Sequence, residues 1–264
     1  MVKKIDGRMI AEKIKDEVAA EIFKFQGDRP NLAIILVGSR ADSQLYVSLK
    51  EREAKKVGID THLYELSEAV SEKELLEVIK FLNEDELIDG ILIQLPLPEK
   101  FNTDHIIAAL NPLKDVDGFH PQHPDYVVSP VLASISACLR EINFSAAGKR
   151  ACVLYNSDIF GISVKEILEK EGLKVNLRDN PEEADILVSA LGQPHFIKKS
   201  MIKAGAIIID IGITKVGGRV LGDADYEDIK ERAGFITPVP GGIGPMTIAF
   251  LFKNVLAVYK NHLK

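Results

Sequence analysis

The chain has 264 residues, 46% hydrophobic and 27% charged, with a formal net charge of −6. That length and balance belong to a globular protein with a full core, and the acidic charge leaves no basic footprint for a nucleic-acid partner. No apolar run approaches the length that spans a bilayer, and the two cysteines fit no CxxC or metal-ligand spacing, so neither a membrane nor a metal is expected.

The opening MVKKIDGRMIAEKI breaks its apolar character at Asp6, Gly7 and Arg8 and is not expected to act as a signal peptide. A helix is predicted over 10–25, because Ile10, Ile14, Val18 and Ile22 recur every four residues. NLAIILV (31–37) reads as a buried strand closed by Gly38. Asp42 or Ser43 then caps a helix that runs to Val57 and stops at Gly58. A strand at 61–66, a helix at 71–82 and a third strand at 90–95 complete β-α-β-α-β, which implies a parallel sheet with right-handed crossovers.

GILIQLPLP (90–98) is the most telling stretch. Its apolar run does not alternate, as in a parallel strand covered on both faces, and Pro96 and Pro98 force the chain out of the sheet. Gln94 thus stands at the carboxyl end, where open α/β sheets bind ligands. Tyr46 and Lys50 share one helix face and can point at the same mouth, where a desolvated Lys is able to shuttle protons. The plainer alternatives are a strand-end amide bonded to its own loop and a surface Lys lying over a Tyr.

Four prolines between 111 and 130 mark a domain junction, which contains the acidic turn KDVDGF (114–119). One carboxylate of that turn can accept paired hydrogen bonds from an amino-pyrimidine edge. Asp117, followed by Gly118, is chosen over Asp115, although both can simply be turn formers. A helix at 131–142 leads into a second alternating set, with strands at 150–155, 174–178, 186–190 and 206–212 and a helix at 160–171. This set resembles a doubly wound nucleotide-binding domain. TPVPGGIGPMT (237–247) packs three prolines and three glycines into a rigid loop that lets the backbone approach a ligand. The last helix, 247–263, is expected to return to the first domain. The expected architecture is therefore two α/β domains, 1–120 with 246–264 and 121–245, with a cleft between them.

Tyr46-x-x-x-Lys50, GILIQLPLP, KDVDGFHP, AIIIDIGI and TPVPGGIGPMT stand in the order and approximate spacing of one family. Over essentially its whole length the chain resembles the bifunctional methylenetetrahydrofolate dehydrogenase/methenyltetrahydrofolate cyclohydrolase enzymes. The resemblance implies a catalytic set of Tyr46, Lys50, Gln94 and Asp117 around a tetrahydrofolate derivative. In it Lys50 is the acid/base of the cyclohydrolase step, Gln94 tunes it, Tyr46 stacks near the pterin and Asp117 binds the pterin edge. It also implies that Val239, Pro240, Gly241 and Gly242 line the folate pocket. Tyr155, Asn156, Ser157, Gly161 and Ile213 would lie against NADP, and the protein would be a homodimer. Cys138 and Cys152, both in apolar surroundings, are expected to be buried reduced thiols, which points to the cytoplasm.

The nucleotide half departs from the family pattern. Where relatives of this type read Gly-Arg-Ser-x-x-Val-Gly-x-Pro, this chain has Tyr155, Asn156, Ser157, Asp158, Ile159, Phe160, Gly161, Ile162 and Ser163. Loss of the Arg removes a bidentate partner for a 2′-phosphate, and Asp158 adds a negative charge. The connection from Val175 to Ile186 is also short and interrupted by Pro181. A reduced preference for NADP is expected on these grounds, with NAD or neither nucleotide as the alternatives. Two further readings remain at this stage: a cyclohydrolase with a vestigial nucleotide site, and a folate- or nucleotide-binding protein without catalysis. A shikimate-type dehydrogenase fits the architecture but does not explain the motifs.

Overall fold

A computed structural model describes residues 2–25 and 29–262. In chain order the elements are β1 (Lys3–Lys4), α1 (Gly7–Ile22), β2 (Asn31–Val37), α2 (Ala41–Val57), β3 (Asp60–Leu66), α3 (Glu72–Glu84), β4 (Gly90–Ile93) and α4 (Thr103–Ala108). They continue with α5 (Pro130–Glu141), β5 (Arg150–Tyr155), α6 (Asp158–Lys170), β6 (Lys174–Leu177), β7 (Ile186–Ala190) and β8 (Ile207–Asp210). The last are β9 (Thr214–Val216), β10 (Arg219–Leu221), α7 (Tyr226–Ile229), β11 (Phe235–Ile236) and α8 (Ile243–His262). Two compact units result: Glu12–Pro130 with Ile248–Lys264, and Met1–Ala11 with Val131–Thr247.

The first unit is built on a parallel sheet in the order β3-β2-β4. Its central strand has no polar face because both faces are covered. Leu32, Ile34 and Leu36 pack with Val47, Ala54, Leu92, Val116, Leu251 and Phe252, whereas Ala33, Ile35 and Val37 pack with Leu75, Ile79, Ile91 and Ile106. Burying one such Leu or Ile side chain is worth about 1.5–3 kcal/mol. The final helix does return here, and Asn254 donates through Nδ2 to the carbonyls of Val116 (2.8 Å) and Val128 (2.9 Å). That pair of bonds fixes the KDVDGF turn beside β4.

The second unit carries a six-stranded parallel sheet in the order β1-β11-β8-β7-β5-β6. From β5 the chain first goes outward to β6 and then back past β5 to β7, so the topology reverses there. β1 and β11 are two residues each, too short to show a period, and neither is legible in the sequence. Because Lys3 and Lys4 pair with Phe235 and Ile236, the start of the chain joins this sheet and not the first unit, to which 1–120 were assigned.

Helix ends differ from the expected ones for local reasons. The Asp6 carboxylate accepts from the Arg8 and Met9 N–H groups and starts α1 three residues early. Ser157 caps α6 at Asp158, two residues before the expected start. α8 begins at Ile243, so Gly244 and Pro245 sit in its first turn, where Pro costs least. The expected end of that helix at Leu263 lies outside the described residues.

Two buried aspartates organise the carboxyl edge of the larger sheet. Asp223 accepts from Ser189 Oγ (2.7 Å), Leu191 N–H (2.7 Å) and Gln193 N–H (2.8 Å), which orders the chain after β7. Asp210 accepts from the N–H groups of Gly212 (2.9 Å), Asp223 (3.1 Å) and Ala224 (2.8 Å). Burial pushes the Asp210 carboxyl up to about 6 despite those bonds. Asp223→Ala strands three donors, each worth about 1–3 kcal/mol when buried unpaired. Urea denaturation is expected to show a loss of about 3 kcal/mol; a change below about 1 kcal/mol would mean that water replaces the carboxylate.

Candidate functional site

The chemistry-bearing side chains of the first unit converge from three sequence regions. α2 starts at Ala41 with neither expected cap: Arg40 precedes it without a side-chain cap. Asp42 instead lies in the first turn, where a carboxylate is favoured by the helix dipole, and accepts from Ser43 N–H (3.0 Å) while pairing with Arg40. The far end stops as expected at Gly58, whose φ of 87° is left-handed. The buried Lys15 of α1 bonds Glu53 of α2 at 2.5 Å and ties the two helices together.

Lys50 lies about two turns before the end of α2, and its Nζ donates to Gln94 Oε1 at 2.9 Å. Gln94 is buried, its backbone N–H still bonds Ile35 O (2.9 Å), and its Nε2 donates to Leu95 O (2.6 Å). The amide therefore cannot flip, and only its oxygen faces the lysine. Burial lowers the Lys50 pKa, opposed by the negative charge of Asp117. Asp117, half-buried, is pushed up to about 6, first by burial, with Lys50 opposing and Asp115 adding to the rise.

The choice between the two aspartates of the acidic turn is decided by hydrogen bonds. Asp115 is buried and spends both oxygens on its own turn, accepting from Asp117 N–H (3.0 Å) and His120 N–H (2.8 Å). It is the turn former. Among the described residues no hydrogen-bond donor reaches the Asp117 carboxylate, which leaves both of its oxygens for a ligand. Tyr46 stands one turn before Lys50, 37% exposed, with its pKa raised by burial and then by Asp42. Gln94, not the phenol, is the hydrogen-bond partner of Lys50.

The loop residues Val239, Pro240, Gly241 and Gly242 belong to the second unit. Val239 and Pro240 border a cavity of about 310 Å³ together with Lys4, His195, Asp210 and Thr237. The glycines serve the protein's own packing. A Cβ at Gly242 would lie 2.7 Å from Pro238 O, and Gly7 sits against the Gly242 carbonyl so closely that no side chain fits there. The first turn of α1 approaches the loop backbone closely at Gly242.

At the reversal point of the larger sheet, Tyr155, Asn156 and Ser157 form the turn from β5 into α6. Asn156 is exposed and donates to Leu191 O (3.2 Å); Ser157 caps the helix. The Tyr155 ring, which stands where the family pattern has Gly, is buried and folded onto Gly161, where an added Cβ would lie 2.5 Å from it. Ile213 stands exposed just beyond β8, on the same carboxyl edge two strands away. With the ring folded away, the N-terminus of α6, capped by Ser157, is left where the phosphates of a dinucleotide meet a doubly wound fold.

Comparisons with known proteins identify the family. Residues 5–117 match the tetrahydrofolate dehydrogenase/cyclohydrolase catalytic domain, and residues 130–263 match the NAD(P)-binding domain of the same family. The bifunctional protein FolD of a Sulfurihydrogenibium species is 42% identical over 98% of both chains. The Listeria innocua protein of the same name is 42% identical over 97% of this chain and 96% of its own. The crystal structure of the bifunctional FolD methylenetetrahydrofolate dehydrogenase/cyclohydrolase from Campylobacter jejuni superposes with a TM-score of 0.94 at 34% identity, covering 99% of each chain. The Trypanosoma brucei enzyme, complexed with NADP cofactor and inhibitor, gives 0.93 at 33% identity, covering 100% of this chain and 99% of its own.

Proposed function

The chain belongs to the tetrahydrofolate dehydrogenase/cyclohydrolase family, and we propose that Lys50, Gln94, Asp117 and Tyr46 are the residues with which it does that family's chemistry. It is a bifunctional enzyme that interconverts 5,10-methylene-, 5,10-methenyl- and 10-formyltetrahydrofolate, with NADP as cofactor. Both halves of the chain match, so nothing favours a vestigial nucleotide half or a non-catalytic binder.

The observation that carries the residue assignment is the 2.9 Å bond from Lys50 to an amide oxygen that cannot turn away. A neutral amine that donates one N–H to Gln94 directs its lone pair elsewhere, into the site. In the hydrolysis, that lone pair accepts a proton from water as the water oxygen bonds to the methenyl carbon. The ammonium then returns a proton to the folate nitrogen as its bond to that carbon breaks, and the remaining hydroxyl proton leaves to solvent as the formyl group forms. Burial lowers the Lys50 pKa and so favours the amine form that the step needs. Asp117, ionised above about pH 6, accepts paired N–H donors from the pterin edge, and the Tyr46 ring packs on the pterin.

In the oxidation, NADP when bound would supply the acceptor for the hydride that leaves the folate methylene group. The protein's part is to position the two reactants and exclude water. Tyr155, Asn156, Ser157, Gly161 and Ile213 are proposed to hold the nucleotide, and Val239–Gly242 to contact folate. Family resemblance supports a homodimer. The cytoplasm is proposed from Cys138 and Cys152, both free and buried, their thiols pushed up to about 12 and about 11 chiefly by burial. No helix among the described residues is long and apolar enough to cross a membrane.

The test is an assay of the purified protein for methylene oxidation with NADP and with NAD, and for methenyl hydrolysis without nucleotide. Both activities are expected, with NADP preferred. Hydrolysis alone would restore the reading of a vestigial nucleotide half.

A further inference from the structure

The Arg that would pair with a 2′-phosphate is absent from the β5–α6 turn, where Asn156 stands in its place. A different arginine occupies the neighbouring edge. Arg178 follows the end of β6, the strand beside β5, which is where doubly wound folds meet the adenosine ribose. Its guanidinium lies 3.9 Å from the centroid of the Tyr155 ring, and its Nε donates to Tyr155 O at 3.1 Å. Its backbone takes a left-handed φ of 56°, unusual for a non-glycine residue, while its N–H still bonds Val153 O (3.0 Å). The side chain is held by these contacts yet remains 49% exposed, and its outer Nη2 lies 3.3 Å from the exposed Asp158 carboxylate.

We propose that Arg178 is the residue that reads the 2′-phosphate of NADP, replacing the missing turn arginine from the adjacent strand. The Tyr155 ring, out of place by the family pattern, then has a purpose: it fixes the plane of the guanidinium, which favours bidentate recognition. Asp158 pairs with Arg178 at 3.3 Å and is 78% exposed. It competes with the phosphate for the same guanidinium, so it limits the preference for NADP over NAD without abolishing it. The inference rests on NADP being the cofactor, as set out above.

Titration calorimetry on the full-length protein with NADP and NAD separately tests it. The unmodified chain is expected to bind NADP more tightly than NAD. Arg178→Gln should weaken NADP by on the order of tenfold to a hundredfold, the range for losing a charge-assisted bidentate contact, and leave NAD within about threefold. Asp158→Asn, which leaves the Tyr155 stack in place, should tighten NADP severalfold and leave NAD unchanged. Equal weakening of both nucleotides by Arg178→Gln would mean a structural role and overturn the proposal. So would an unchanged NADP affinity in both variants. If Arg178→Gln does not fold, the Asp158→Asn result decides alone. An unmodified protein that prefers NAD would defeat the NADP assignment itself, whereas NADP selectivity that survives Arg178→Gln defeats only the role of Arg178.

Discussion

Replacing Lys50 by Met is expected to lower methenyltetrahydrofolate hydrolysis by about two to four orders of magnitude, the usual cost of removing a positioned acid/base. Methionine matches the length and most of the volume of the lysine stem, so α2 keeps its packing. The structural loss is confined to one hydrogen bond to Gln94 Oε1, worth about 1 kcal/mol or less in a partly solvated site. Thermal melting should therefore change little while hydrolysis collapses, and that separation is the informative result. Methylene oxidation should fall less, because hydride transfer depends on how the reactants are held and needs no proton from Lys50. Decay of methenyltetrahydrofolate absorbance in the folded variant checks the first expectation. Hydrolysis within tenfold of the unmodified enzyme would refute the acid/base role of Lys50.

The pH profile adds an independent readout. Lys50 works as an amine, so hydrolysis rises with pH towards the lysine's own pKa, which burial places below the ordinary lysine value. Asp117 raises that pKa, so neutralising Asp117 should move the rising limb to lower pH.

What the sequence reveals of this site depends on whether a residue sits in a regular element. Tyr46 and Lys50 are legible because four residues make one helical turn, and Gln94 because an unbroken apolar run ending in prolines can only be a covered strand. Asp117 and Asp115 are equivalent by spacing. They differ only in which backbone N–H groups their turn offers, and Asp115 takes two of them. The glycines of TPVPGGIGPMT show that a close approach is required but not what approaches; at Gly242 it is Gly7. Arg178 and Tyr155 are 23 residues apart, on neighbouring strands, and nothing local joins them. The same holds for Asp210 and Asp223, whose partners become visible only when the strand order is known.

Asp117→Asn is expected to move folate affinity and protein stability in opposite directions. The carboxylate offers acceptors to two adjacent pterin donors, and an amide offers one acceptor and a clashing N–H₂. The donor left unpaired costs on the order of 1–3 kcal/mol, so affinity should fall by about fivefold to 150-fold. Stability should respond the other way. The pKa of Asp117 is raised from 3.8 to about 6, so the folded state binds its proton more tightly than the unfolded chain does. Its contribution therefore declines as pH rises from about 4 through about 6 and stays lost above that. An uncharged Asn escapes this loss, which for a half-buried group is about 1–2 kcal/mol. The variant should melt higher than the unmodified protein at pH 7, with the difference shrinking towards zero near pH 4. In the unmodified protein, folate binding should weaken as pH falls through about 6, and Asp117→Asn should remove that dependence. A residue kept for its turn would give the opposite pattern, lower melting with intact binding, and that result would return the pterin contact to an open question.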